Sequence, residues 1–387
     1  MKVKPIYLYL LFILIIGIII IGCDNSGSSI FGNFEDRERR ERSITESVLP
    51  ARNISNQETH VSDNVSDLIF VAGGSFHPAA DFGEMTISPF HIGKYEITRA
   101  EYYKIMGEKP WLNEAYDPYS LSDIFSEEDI ERIPATGMNW FEAIVFCNRL
   151  SIRENLTPVY TLPGKGTNPD NWGAIPGTHS MTDSDSEKTI EDSHISLWNR
   201  IEVNWNANGY RLPTEMEFLW AALGGTNTQD REFSGDTGLN HINDYAWHIA
   251  NSGNNPHPVG RKNPNALGLF DMTGNVMEWC WDITGIAEEI YNEISQDRGD
   301  TSAPPLVRDG IALIRLPKED HTDYRGAGLP DTRFILDSMA IQRAVAGGSW
   351  ATSEEKSSLA YRESSFPESR FPEDRDTRKI GFRVVRR

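Results

Sequence analysis

Residues 68–387 read as one large α+β domain, rich in loops and low in regular secondary structure. Three observations predict this. Apolar runs are short and end at Gly or Pro. Three helix starts carry clear N-cap residues, yet each helix stops after a few turns. The remainder is rich in Gly, Pro, Asn and Trp, with no internal repeat and no strand–helix alternation of the kind that builds a parallel βαβ sheet.

The chain opens with a different kind of segment. Lys2 and Lys4 give a positive start, and Ile6 to Gly22 is an unbroken apolar run. Ile20-Ile21-Gly22-Cys23 resembles a bacterial lipobox, so residues 1–23 are expected to be a lipoprotein signal peptide with Cys23 acylated, for example by palmitate. The alternative is an uncleaved membrane anchor. In both cases the lipid or anchor makes the membrane a partner and places the body of the protein in the cell envelope, periplasmic or at the cell surface. Residues 24–67 contain the charge run FEDRERRERS and little apolar periodicity, which predicts a flexible tether. As a coil it would span roughly 35–40 Å.

Order is expected from Leu68. LIFVAGGSF (68–76) is an apolar strand broken at Gly73-Gly74, and ISPFHIGKYEIT (87–98) alternates as a second strand. Thr98 with Glu101 forms a capping box before the short helix RAEYYKIM. Asn139 precedes an amphipathic helix whose apolar face takes Phe141, Ile144, Val145, Cys147 and Leu150. Thr214 with Glu217 starts a third helix that Gly224-Gly225 stops. Stretches 163–200 and 284–340 lack periodicity and are expected to be inserted surface loops.

Charge excludes some functions. With 37 Lys+Arg against 57 Asp+Glu the net charge is −20, which argues against nucleic acid, because phosphate binding needs clustered cations. Three Cys cannot make a disulfide framework. With Cys23 assigned to lipid, Cys147 and Cys280 lie in apolar contexts and are expected to be buried free thiols. Arg211 and Arg383 sit among apolar residues, so each needs an acid, with Glu215, Glu217 and Glu278 as the available partners. Trp279 and Trp350 read as core residues.

Several segments then match one family in order: FVAGGSF (70–76), HIGKYEITRAEYY (91–103), PATGMNWFEAIVFCNRLS (134–151), NGYRLPTEMEFLWAALGG (208–225), HPVGRKNPNALGLFDMTGNVMEWCWD (257–282), AVAGGSW (344–350) and GFRVV (381–385). The chain resembles the formylglycine-generating enzyme family, also called the sulfatase-modifying factor family. The resemblance implies a C-type-lectin-like fold over residues 68–387. It also implies an oxidase that holds copper on two thiolates, three and eight residues after the Ser of GGS. Here those positions are Thr352 and Ser357, and 351–360 holds no Cys, His or Met. Thiolates suit the soft Cu(I) ion and hydroxyls do not, so copper and formylglycine generation are not expected.

The family's Ca2+ segment corresponds here to the carboxylates of Asp271 and Glu278 and the backbone carbonyls of Gly274 and Val276, so Ca2+ is the expected cofactor; its chemistry asks for such hard oxygens. The alternative is a tight turn at Gly274-Asn275 with Glu278 in an ion pair. The ligand groove of the fold would run through Ser349, Trp350, Thr352, Ser357, Tyr361, Arg362, Phe366 and Arg370, a mix of aromatics and Arg used by binding surfaces. The leading functional expectation is an envelope-tethered binding or accessory protein for a protein or glycan ligand. Alternatives are an enzyme with an altered site, or a diversified surface-binding protein of C-type-lectin fold.

Overall fold

The computed structural model describes residues 67–78, 82–112, 121–177, 195–226, 231–239, 241–287, 307–308, 311–313, 320–325, 341–359, 361–367 and 379–387. Segment 1–23, Cys23 and almost all of the expected tether lie outside them, as does Arg370. All described residues fall in one compact unit, Ser62–Arg387. No helix among them is long and apolar enough to cross a membrane.

Four helices carry caps that the sequence supplies. In α1 (Arg99–Met106) Thr98 and Glu101 complete a capping box and Gly107 ends the helix in the left-handed region. α2 (Glu127–Glu131) is a single short piece capped by Ser126. α3 (Trp140–Arg153) has Asn139 as its cap, answered by Glu142. α4 (Glu215–Ala222) starts at the Thr214–Glu217 box.

The strands are short, with one exception. A small antiparallel sheet joins β1 (Leu68–Val71), β4 (Phe90–Gly93) and β14 (Val385–Arg386), which ties the start of the domain to its last residues. A second joins β2 (Gly74–Phe76), β3 (Met85–Ile87) and β10 (His321–Thr322). Strand β7 (Met277–Ala287) organises the third. It is flanked by β11 (Ile341–Ala346) and β9 (Ile311–Leu313), with β8 (Val307–Arg308) and β12 (Glu363–Ser365) beyond them, and β13 (Ile380–Gly381) pairs parallel at its start. β5 (Tyr160–Thr161) and β6 (Glu202–Val203) form a separate pair.

Side chains alternate along β7, so its two faces meet different cores. Trp279 packs with α3 and its aromatic neighbours. Cys280 packs with Met216, Phe218 and Trp220 of α4 and with β2–β4. Cys147 and Cys280 are both free and buried, as expected. Burial pushes both thiols up, which keeps them protonated and unreactive.

Three expectations need correction. The alternating run 87–98 is not one strand: Ile87 ends β3 and only Phe90–Gly93 forms β4; beyond it the backbone leaves the sheet and Glu96 turns inward, where it is 1% exposed. The ends of 163–200 are not surface loop: Trp172 and Trp198 are buried and meet edge-to-face at 5.5 Å. Stretch 284–340 begins inside β7 and contributes β8, β9 and β10. Apolar periodicity is lost in such two- and three-residue pairings, which hid them from pattern reading.

Candidate functional site

β11 runs out into Gly347-Gly348-Ser349, and the chain then folds into a tight hydroxyl-lined turn. Ser349 and Ser357 are fully buried and Thr352 is nearly so. The Ser349 N–H donates to Thr352 Oγ1 at 2.8 Å, and Thr352 Oγ1 also lies 2.9 Å from the Ser349 carbonyl. Thr352 Oγ1 and Ser357 Oγ stand 3.0 Å apart, and Ser357 Oγ donates to the Ser353 carbonyl at 3.0 Å. Gly348 is required here: its φ is +72°, and a Cβ would come within 2.7 Å of Ser357. The two positions eight and three residues from Ser349 are therefore in contact, as a shared metal site would need, but they carry a closed hydroxyl network.

Among the described residues no base contacts those hydroxyls. His248 is brought near by the Ile249 N–H, which donates to the Thr352 carbonyl at 3.0 Å. Its Nε2, however, is 2.8 Å from Asn243 Oδ1 and 3.7 Å from Glu354. No hydrogen bond joins a His to Thr352 or Ser357 among the described residues, so the nucleophile–base pairing that a Ser or Thr nucleophile needs is missing.

Of the expected groove, Ser349, Thr352 and Ser357 face inward and do not line an open wall. Trp350, Tyr361 and Phe366 are partly exposed, so Trp350 is not a core residue, whereas Trp279 is. The Trp350 Nε1 and Tyr361 hydroxyl are buried atoms without a partner, which leaves donor capacity beside the turn. Arg362 is drawn away to Glu215, with Nε–Oε1 2.6 Å and Nη2–Oε2 2.7 Å.

Below the turn, Asp271–Glu278 forms a second polar centre. Gly274 has φ +77° and a Cβ there would strike the Trp247 carbonyl at 2.3 Å, so the backbone demands Gly. Arg383 holds Glu278 through Nε–Oε2 2.7 Å and Nη2–Oε1 2.6 Å, with both side chains buried. Glu96 accepts from Asn275 Nδ2 at 2.8 Å and from the Val276 N–H at 3.1 Å. Asp271, in the left-handed region at φ +55°, accepts from the Gly260 N–H at 2.7 Å through Oδ2, while Oδ1 is buried without a partner. Burial, reinforced by Asp271 and Glu278, pushes Glu96 well up. Burial also raises Asp271 to about 6. Among the described residues no group of three or more His, Cys, Asp or Glu is arranged around a metal position. The pairing of Glu278 with Arg383 and of Arg211 with Glu217, at 2.6 Å on both oxygens, matches the need of buried guanidiniums for acids. Glu96 was not expected at this centre, since nothing in its local sequence marks it; only the contact with Asn275 and Val276 does.

The sequence pattern described as the sulfatase-modifying factor enzyme 1-like domain matches residues 53–387. The chain belongs to this family. Among relatives, it is 34% identical over 244 residues to the chaperone protein LppX of Paenibacillus barcinonensis, covering 58% of this chain and 73% of that protein. It is 26% identical over 249 residues to the formylglycine-generating enzyme of Mus musculus, covering 58% of this chain and 57% of the enzyme. Among solved structures, Treponema denticola variable protein 1 superposes with a TM-score of 0.57 at 28% identity, over 83% of this chain and 94% of that one. The fold is thus that of the sulfatase-modifying factor family, low in regular secondary structure. The donor set at Thr352 and Ser357 does not fit the family's copper, because it offers two neutral hydroxyls and no thiolate.

Proposed function

We propose that this chain is a lipid-anchored protein of the cell envelope whose sulfatase-modifying-factor domain serves binding or accessory work and not formylglycine generation. The observation that carries this reading is the Thr352–Ser357 contact at 3.0 Å, closed by Ser349 and Ser353 carbonyls. It keeps the architecture of a two-ligand site and removes its chemistry. The relation to a protein named as a chaperone supports accessory work. Cys23 would supply the anchor through its acyl group.

The test is copper and oxygen. The full chain is titrated with Cu(I) against a colorimetric chelator, and oxygen uptake is followed with a Cys-containing sulfatase peptide. Neither copper retention nor oxygen uptake is expected. Turnover of the peptide would overturn the proposal. In a T352C/S357C variant the same contact would carry two thiols, and Cu(I) retention is expected to appear.

A second reading concerns Asp271. Glu96, Asp271 and Glu278 are three buried acids against the single buried Arg383, and Asp271 Oδ1 waits for a cation or a proton. Ca2+ held by Asp271, Glu278 and the carbonyls of Gly274 and Val276 would relieve that excess, since it takes carboxylate and carbonyl oxygens together. A calorimetric Ca2+ titration near pH 7.5, with thermal unfolding before and after chelation, checks it. No heat and no shift would remove the ion from the account.

A further inference from the structure

Strand β1 forms one edge of its sheet, whose order is β1-β4-β14. Two hydrogen bonds fix which of its residues look outward. The Gly93 N–H of β4 donates to the Val384 carbonyl at 2.8 Å, so Gly93 faces away from Leu68, its register partner in β1. The Lys94 N–H donates to the Asp67 carbonyl at 2.8 Å, so Asp67 faces β4. Directions alternate along an antiparallel strand. The backbone N–H and C=O groups of Ile69 and Val71 therefore point into the sheet, and those of Leu68 and Phe70 point out of it. Among the described residues no hydrogen bond reaches the outward groups of Leu68 or Phe70.

This free edge is short and centred on Ile69. The next outward carbonyl, that of Ala72, is taken by Trp220 Nε1 at 2.9 Å. Edge strands are usually blunted by Lys, Pro or a bulge. β1 reads LIFV, with neither residue and an unbroken register. Phe70 is 56% exposed, with only His91 as a ring neighbour at 5.3 Å.

We propose that this edge pairs with the same edge of a second copy of the chain, antiparallel about a two-fold axis through Ile69. In that register Leu68 of each copy faces Phe70 of the other. Each such pair exchanges both of its hydrogen bonds, which satisfies every outward group of the two residues. The interface is isologous, the same patch on both copies, as a two-fold axis requires. Phe70 then lies beside Leu68 of the second copy on one face of the joined sheet, and Ile69 meets Ile69 on the other. A long peptide strand is the poorer occupant, because the edge stops at Ala72. So short a pairing buries less than the roughly 1,200 Å² of a stable interface, and a charge of −20 on each copy opposes their approach. The pairing therefore forms where copies are concentrated on one surface. In this it rests on the lipid-anchor reading: β1 begins where the expected tether ends, and acylation of Cys23 would confine the copies to one membrane and raise their effective concentration.

The experiment uses the full acylated chain, in vesicles and dilute in detergent. Across the axis Ile69 occupies a non-hydrogen-bonded pair, with Cα atoms about 4.5 Å apart, within the roughly 4.4–6.8 Å that a disulfide spans. Under mild oxidation by copper phenanthroline, Ile69→Cys is expected to form a disulfide dimer in vesicles, about ten-fold more than in dilute detergent. Leu239→Cys, at a position 92% exposed, reports random collision and is expected to stay at the detergent level. Phe70→Pro removes an outward N–H without breaking a bond to β4, and is expected to abolish the Ile69→Cys dimer. Hydrogen exchange on the unsubstituted chain checks the same pairing without a variant: the Leu68 and Phe70 amides should be protected in vesicles and open in dilute detergent. Vesicle flotation reads the anchor by itself. A chain that floats but gives no Ile69→Cys dimer above the Leu239→Cys level, or no protection of the two amides, overturns the pairing. Protection already present in dilute detergent would assign the edge to the chain's own residues and overturn it too. A chain that does not float removes the anchor, and with it the confinement that the pairing needs.

Discussion

Two clusters of acids and guanidiniums lie along the same face of β7, and they are balanced differently. At its start, Glu96, Asp271 and Glu278 surround Arg383, and every member is buried. Further along, Glu215, Glu217 and Asp282 meet Arg211 and Arg362, and Arg362 keeps a side chain 33% exposed. The first cluster has one buried cation for three acids, with partly exposed Lys262 acting on Asp271 from outside. The second has two, with Arg343 acting on Asp282 from the opposite face. The difference shows where the leftover negative charge goes. In the first it is spread over Glu96 and Asp271, inside a shell where a cation could replace a proton. In the second it falls on one residue, Asp282, which is 1% exposed, accepts the Glu215 N–H at 2.6 Å through Oδ2, and leaves Oδ1 without a partner.

The largest expected effect breaks the first cluster. Arg383→Met strands three buried acids and should destabilise by about 3–5 kcal/mol, the range for removing one partner of a buried pair. Arg362→Met opens a pair that water already reaches, and should cost about 1 kcal/mol or less. Urea unfolding of the two variants compares them directly. Equal losses would show that burial does not separate the clusters.

The next effect is in pH. Burial, with Glu215 and Glu217 adding to it against Arg362, raises Asp282 from 3.8 to about 8. The folded chain therefore holds a proton that the unfolded chain has released across that interval. Its contribution to stability is complete below about pH 4 and is drawn down as pH rises towards 8. Cys280 and Tyr324, which face the same acids, are pushed up and stay neutral there. Asp282→Asn keeps an oxygen for the Glu215 N–H and cannot ionise, so it should flatten the fall in stability between pH 6 and 8, measured by unfolding at a series of pH values. An unchanged slope would place the excess charge elsewhere.

The two clusters were unequally legible in the sequence. The need of Arg211 and Arg383 for acids followed from their apolar neighbours, and Glu217 and Glu278 are the acids they found. The capping boxes at Thr98 and Thr214 were legible because their bonds span three residues. Asp282 and Glu96 were not, because their roles depend on partners far along the chain: Asp282 serves the first N–H of α4, and Glu96 serves Asn275 and Val276. The hydroxyl turn was legible as a substitution of ligands, but its closure required the fold of 349–357 to bring Thr352 onto Ser357.

The smallest effect sharpens the second cluster. Thr284 follows Asp282 on the same face of β7, is 6% exposed, and its Oγ1 is buried without a partner. A hydroxyl in that state is a desolvated group with no compensating bond, so Thr284→Val, which keeps the shape, should be neutral or stabilising by up to about 1 kcal/mol. The gain should be the same at pH 5 and pH 8 if Thr284 takes no part in holding the Asp282 proton. A variant that loses stability at pH 5 and not at pH 8 would mean that the hydroxyl accepts that proton in solution. The second cluster would then be a connected network of Asp282 and Thr284, and its leftover charge would be shared as it is in the first.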